Sequence, residues 1–208
     1  MEVRDREILA TLTHSVRVLT LHQAARTWWG GTAAPLANAR RGLTKLVRGG
    51  LLAGSTALAR PELSLTEPAA TWTPGGEPPS FDAVAYQLHS RWSLALRPTR
   101  FFVATRTAAN ALGGYGGSLA HPLHLSHDLH VSTVFLRLRE TQPDVASTWI
   151  SERHLAQFRR HQKLPDAGLG CSPESLLAAI EFGNGYDAGR LRAFHADCAE
   201  RSLAYQIW

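Results

Sequence analysis

Asp166 and Glu181 are the carboxylates whose setting in the chain suggests chemistry. Pro165-Asp166 opens an apolar run over 166–171, and Glu181 stands near the end of a second run over 176–182; Ser172-Pro173-Glu174 joins the two. Adjacent strands connected in this way bring both acids to one edge of a sheet, where they can share a divalent cation. Oxygen ligands of that kind suit Mg²⁺ and phosphodiester hydrolysis. A second set of candidate ligands is His121, His124, His127 and His130, which recur every three residues. Neighbours three apart on a helix can chelate a transition metal. Pro122 and a helix cap at Ser126 place the first two outside the helix, so hydrogen-bonded or exposed histidines are expected and no metal is assigned to them. Gly113-Gly114-Tyr115-Gly116-Gly117 has neither a Gly-Lys-Ser/Thr ending nor G-x-G-x-x-G spacing, so it is read as a flexible loop and not as a nucleotide site. Cys171 and Cys198, the only cysteines, lack metal or redox spacing.

The charge points to a different ligand. Residues 1–60 hold nine Lys/Arg against three Asp/Glu, whereas 61–208 hold thirteen against fourteen, so the net charge of +5 comes from the first segment. A basic module ahead of a near-neutral one implies a polyanion for the first. Helical spacing predicts a first helix over 4–12, a second over 21–29 capped by Thr20 and stopped at Gly30-Gly31, and a third from Pro35 to Gly49-Gly50. The third helix has Leu36, Ala39, Leu43, Leu46 and Val47 on one face and Asn38, Arg40, Arg41, Thr44, Lys45 and Arg48 on the other. Leu51-Leu52 opens a strand, residues 55–65 form a wing, and a return strand ends near Ala70-Thr71-Trp72-Thr73. Three helices and a hairpin make a winged helix-turn-helix, whose third helix enters the major groove. Arg40, Arg41, Lys45 and Arg48 are then phosphate or base contacts, with Asn38 and Thr44 as base readers. Trp28-Trp29 read as core.

Pro68, Pro74, Gly75, Gly76, Pro78 and Pro79 mark a domain boundary. The expected division is a winged-helix domain over 1–75, a linker and connector helix over 76–100, and an α/β domain over 101–208. In the last, Phe101-Phe102-Val103-Ala104-Thr105 reads as a strand and Ser126 caps a helix of about fourteen residues. Strands follow at 147–152, 166–171 and 176–182, then a long helix over 187–202 and a final strand at 205–208. The order helix–strand–strand–strand–helix–strand predicts a mixed sheet, and the chain as a whole is read as α/β, or α+β overall.

This second module resembles the restriction-endonuclease-like fold, whose motif is Pro-Asp, a spacer, then Asp/Glu-x-Lys. Here Pro165-Asp166 is followed by Glu181-Phe182-Gly183, without the lysine that in the fold positions the attacking water and offsets charge at the phosphate. The expectation leans away from an enzyme: a sheet-and-carboxylate remnant, with Arg190, Lys163 or Asn184 as the substitutes for the lysine were catalysis retained.

Most of the chain resembles the replication-relaxation proteins of bacterial plasmids and mobile elements. The residues that carry this are Arg4-Asp5-Arg6-Glu7-Ile8-Leu9, Val18-Leu19-Thr20, Arg40-Arg41-x-Leu43, Leu46-Val47-x-x-Gly50-Leu51-Leu52, His127-Asp128-Leu129, Pro165-Asp166-Ala167 and Ile180-Glu181. The resemblance implies a winged helix joined to a nuclease-like domain, acting on double-stranded DNA in replication, transfer or control of its own operon. The expected function is sequence-specific duplex binding by a regulator or accessory factor of a mobile element or defence locus, with a homodimer or a partner protein on the second domain. Two alternatives are a Mg²⁺-dependent DNase using Asp166 and Glu181, and a protein-interaction module such as an antitoxin or assembly factor. No apolar run reaches the roughly 18–20 residues of a membrane span, and no apolar segment follows the charged N-terminus. A cytoplasmic, nucleoid-associated protein without a membrane partner is expected.

Overall fold

Thr20 shows how the first elements are set. Its backbone is extended, its hydroxyl accepts from the Gln23 amide at 3.0 Å, and the Gln23 side chain accepts from the Thr20 amide at 2.8 Å. This reciprocal cap satisfies two donors that a helix start otherwise leaves bare. The computed structural model describes residues 1–117, 124–159 and 163–208. It begins with α1 (Val3–Ala10), which widens into a π turn over Thr11–Ser15, then β1 (Leu19–Thr20), α2 (Leu21–Trp29), α3 (Pro35–Arg48) and β2 (Leu52–Ala59). Next come β3 (Ala70–Trp72), α4 (Phe81–Arg91), β4 (Arg97–Ala104), α5 (Arg106–Leu112) and α6 (Leu125–Thr141). The remainder is α7 (Pro143–Ser147), β5 (Trp149–Ser151), α8 (Glu152–Leu155), β6 (Ala167–Ser172), β7 (Ser175–Glu181), α9 (Ala188–Glu200) and β8 (Ala204–Ile207). The architecture is mixed α and β, as the sequence predicts.

The chain divides into two units. Unit 1 is Met1–Glu62 with Ala95–Leu136, and unit 2 is Leu63–Leu94 with Arg137–Trp208. In unit 1 a three-stranded antiparallel sheet has the order β1-β4-β2. Phe101 and Val103 from β4 meet Val18, Ala59, Leu125 and Leu129 in a buried cluster. Gln23, fully buried, donates to the Leu129 carbonyl at 2.8 Å and the Thr133 hydroxyl at 2.9 Å, which ties α2 to α6. Satisfying a buried amide at every atom fixes one packing arrangement, because an orphaned group there costs about 1–3 kcal/mol.

Two strands pair differently from the sequence reading. The strand that runs against β2 is β4, from Leu52↔Ala104 to Ala59↔Arg97. Ala70–Trp72 instead pairs with β8 in the other sheet. The Pro- and Gly-rich stretch marks a place where the chain leaves one element, but it carries no information about which strand completes the ladder. The apolar Phe101-Phe102-Val103 does, because both faces of β4 are buried over Phe101–Ala104.

Two loop expectations also change. Helix α6 begins at Leu125, and the Ser126 hydroxyl accepts from the Arg60 amide at 2.9 Å instead of capping the helix. The glycine-rich segment is held by close packing. Tyr115 N donates to Thr13 O in the π turn at 2.8 Å, and Gly117 N donates to Ala104 O at 2.9 Å. A Cβ on Gly114 would stand 2.6 Å from Thr13 O, and one on Gly116 would stand 2.5 Å from Thr105 O. Backbone approaching backbone so closely is the reason for glycine at both positions.

Unit 2 contains a five-stranded sheet of order β3-β8-β7-β6-β5, in which β7 and β8 are parallel and the other pairs antiparallel. Helix α9 makes the crossover between the parallel pair, as parallel strands require. Its N-cap is Asp187, whose carboxylate accepts from Arg190 N at 2.7 Å. Val84, Ala85 and Leu88 of α4 pack with Leu191, Phe194 and Cys198 of α9 over Ala179, Tyr205 and Ile207 of the sheet.

Candidate functional site

The register of unit 2 brings the two predicted carboxylates together. Ala167 of β6 lies opposite Ile180 of β7, so Asp166, just before one strand, meets Glu181, at the end of the other. Asp166 is half-buried behind a buried Pro165 and Glu181 is 7% exposed. Each acid holds the other's strand. Asp166 Oδ2 accepts from Phe182 N at 2.7 Å, and Glu181 Oε2 accepts from Asp166 N at 3.3 Å. The remaining Glu181 oxygen, Oε1, accepts from the Tyr186 hydroxyl at 2.5 Å. Tyr186 in turn accepts from Arg190 Nη2 at 2.7 Å, and the Arg190 guanidinium lies 3.7 Å over the tyrosine ring. Burial first, and the adjacent Glu181 charge second, push the Tyr186 phenol well above its ordinary value. It therefore remains a donor to the carboxylate.

Gly183 occupies the place of the missing lysine. Its amide donates to Trp208 O at 3.0 Å, while Trp208 N donates to Glu181 O at 2.8 Å, which extends the β7–β8 ladder. A Cβ at Gly183 would stand 2.7 Å from Leu88 Cδ1 and 3.1 Å from Ile207 Cγ2. The space beside the glutamate is filled by the core side chain of α4. Of the three residues weighed as substitutes, Lys163 is exposed, Asn184 donates its amide to Phe182 O at 2.9 Å, and Arg190 reaches Glu181 through Tyr186. Sequence reasoning did not find Tyr186 or Leu88. Neither belongs to a motif; the fold brings Leu88 of α4 to the strand end, and the shape of the turn after β7 returns Tyr186 to Glu181.

Among the described residues the histidines form no metal cluster. His124 is exposed, His127 Nδ1 lies 3.4 Å from Asp128 Oδ1, and the buried His130 bonds the Ser126 carbonyl through Nδ1 at 2.6 Å. His121 lies outside the described residues. Among the described residues no group of three or more His, Cys, Asp or Glu is arranged to hold a metal ion.

The second candidate surface is α3. Ala39, Leu43 and Leu46 face inward and are buried, while Arg40, Arg41, Thr44, Lys45 and Arg48 are exposed and Asn38 is half-buried. Arg41 Nη2 donates to Asn38 Oδ1 at 2.6 Å. Lys45 Nζ stands 3.9 Å from the buried Asp5 carboxylate of α1. A Cβ on Gly42 would stand 2.7 Å from Trp29 Cζ2, so the glycine lets α2 and α3 approach closely. In the β2–β4 pair, Arg97 and Arg100 of β4 are exposed, opposite Ala59 and Thr56 of β2. The sequence reading did not name these two arginines, because it set β3 in place of β4 against β2.

Comparison with known proteins finds no matching family model, no similar curated protein and no similar solved structure. Among the described residues, no helix is long and apolar enough to cross a membrane.

Proposed function

We propose that unit 1 is a winged helix that binds duplex DNA sequence-specifically, in a regulator or a replication or transfer accessory factor of a mobile element or defence locus. The observation that carries this reading is the outward face of α3, where Arg40, Arg41, Lys45 and Arg48 stand exposed with Thr44 among them. The order helix, strand, helix, helix, then the antiparallel pair β2 and β4, supports it, as do the exposed Arg97 and Arg100 on β4. A helix of this charge in a groove neutralises phosphates, and flanking arginines add to that term. The resemblance to replication-relaxation proteins supports the genetic setting and a nucleoid-associated location. Unit 2 then serves dimerisation or partner contact, and a two-fold dimer predicts a palindromic target.

The test is binding of labelled duplex from the protein's own upstream region, against scrambled duplex, across a salt series. Wild type is run beside the Arg40→Ala/Arg41→Ala/Arg48→Ala variant. Tight, selective binding that the variant loses, with a shallower salt slope, supports the reading. Weak binding identical for both proteins and both duplexes overturns it in favour of a protein-interaction module.

A Mg²⁺-dependent DNase is the second reading, favoured by the meeting of Asp166 with Glu181. Their oxygens are of the type Mg²⁺ takes. However, Asp166 Oδ2 and both Glu181 oxygens already accept protein hydrogen bonds, and Gly183 is walled by Leu88. These contacts and the Leu88 wall favour a structural clasp over an ion site. Mg²⁺- or Mn²⁺-dependent cleavage by wild type, abolished in Asp166→Asn, would establish the nuclease instead.

A further inference from the structure

We infer that Arg41 is the residue of α3 that reads a base, a guanine, and that Asn38 positions it; this rests on the DNA-binding reading above. Ala39, Leu43 and Leu46 define the buried side of the helix. At about 100° per residue the opposite side centres on Ala37, Arg41, Thr44 and Arg48. Arg40 falls on one flank of that line and Asn38 and Lys45 on the other. A helix lying in the major groove presents its central line to base edges and its flanks to the two backbones. Arg40 and Lys45 are therefore placed for phosphates, and Lys45 is also drawn toward Asp5. Arg48 is the last residue of the helix, next to the Gly49-Gly50 turn. Arg41 is the basic side chain that is both central and held.

The hold is the Asn38 side-chain oxygen, which takes one guanidinium N–H at 2.6 Å. That bond restrains the guanidinium and uses one of its five N–H donors. Two parallel donors match N7 and O6 of guanine, the most common specific arginine contact to DNA. Asn38, expected from the sequence to read a base itself, has its acceptor committed to Arg41. A two-point contact to adenine would require that same oxygen to serve Arg41 and adenine N6 together, one lone pair each.

The experiment selects binding sites from a pool of random duplexes about two helical turns long. It compares the full chain with its Arg41→Ala, Arg41→Lys, Asn38→Ala and Asn38→Asp variants. Affinities for the selected site and for its single-base variants are then measured at fixed salt, with circular dichroism melts to confirm folding. Wild type is expected to select a site with a guanine at one position and to discriminate there by roughly tenfold or more. Arg41→Ala and Arg41→Lys should both lose that discrimination while keeping it at other positions. Asn38→Ala should weaken it with an unchanged salt slope. Asn38→Asp, which keeps an acceptor, should restore the ratio although its added charge lowers affinity for every duplex. Guanine preference unchanged in Arg41→Lys, or no guanine in the selected site, overturns the assignment and leaves DNA binding intact. Failure to bind any duplex at low salt overturns both.

Discussion

Gly183 and Tyr186 together determine what the two carboxylates of unit 2 can do. Gly183→Ala puts a methyl carbon against Leu88, which is 1% exposed and has little room to move. It is expected to cost about 1–3 kcal/mol in urea unfolding, and adding Leu88→Ala should recover part of that loss. Gly183→Lys, which restores the nuclease motif on paper, should destabilise the protein and confer no Mg²⁺-dependent cleavage in a plasmid-nicking assay. Tyr186→Phe leaves Glu181 Oε1 without its hydroxyl donor, and the expected cost is about 1–3 kcal/mol. The Tyr186→Phe/Glu181→Gln double variant should lose less than the sum of the two single changes, since both act on one buried bond.

At the scale of elements, close approach between backbones is the recurring device. The glycine-rich segment after α5 clamps the π turn and the end of β4, so Gly116→Ala is expected to lower the melting temperature by several degrees. Gly42→Ala should likewise destabilise unit 1, because the added carbon meets the buried Trp29 ring between α2 and α3. Gly31→Ala is the control: nothing lies within 4 Å of its Cβ, and its effect should stay within about 0.5 kcal/mol. Differential scanning fluorimetry on the three variants separates close packing from a general intolerance of glycine replacement.

For the whole molecule the buried titratable groups set a pH window. Burial holds the His130 imidazole below its ordinary value; the Ser126 carbonyl and Glu62 oppose this, and His127 reinforces it. The unfolded chain takes up a proton near pH 6.5 while the folded chain stays neutral, so stability falls as pH drops below about 6.5. Burial, with Asp197 and Glu181 nearby, pushes the Cys198 thiol up to about 12 from 9.0. Burial also raises the Tyr186 and Tyr205 phenols. The unfolded chain loses these protons first, so stability falls again as pH rises above about 9. Urea midpoints from pH 5 to 10.5 should therefore trace a dome. His130→Gln, which cannot take up a proton there, should flatten the acid limb alone.

The sequence by itself determined the features that depend on near neighbours. The apolar spacing of Ala39, Leu43 and Leu46, the Thr20 and Asp187 caps and the alternation of runs and turns around Asp166 and Glu181 yield α2, α3, α9 and strands β5 to β8, because each is a property of a few consecutive side chains. The adjacency of the two acids was legible for the same reason, since a tight turn joins their strands. Only the tertiary structure decided that β4 and not β3 closes the small sheet, that Tyr186 donates to Glu181, and that Leu88 fills the side of Gly183. The β4 pairing and the Leu88 contact join residues far apart in the chain, and selecting among many possible partners depends on how the whole core packs, which no local pattern encodes; the Tyr186 bond spans five residues but depends on the shape of the turn after β7.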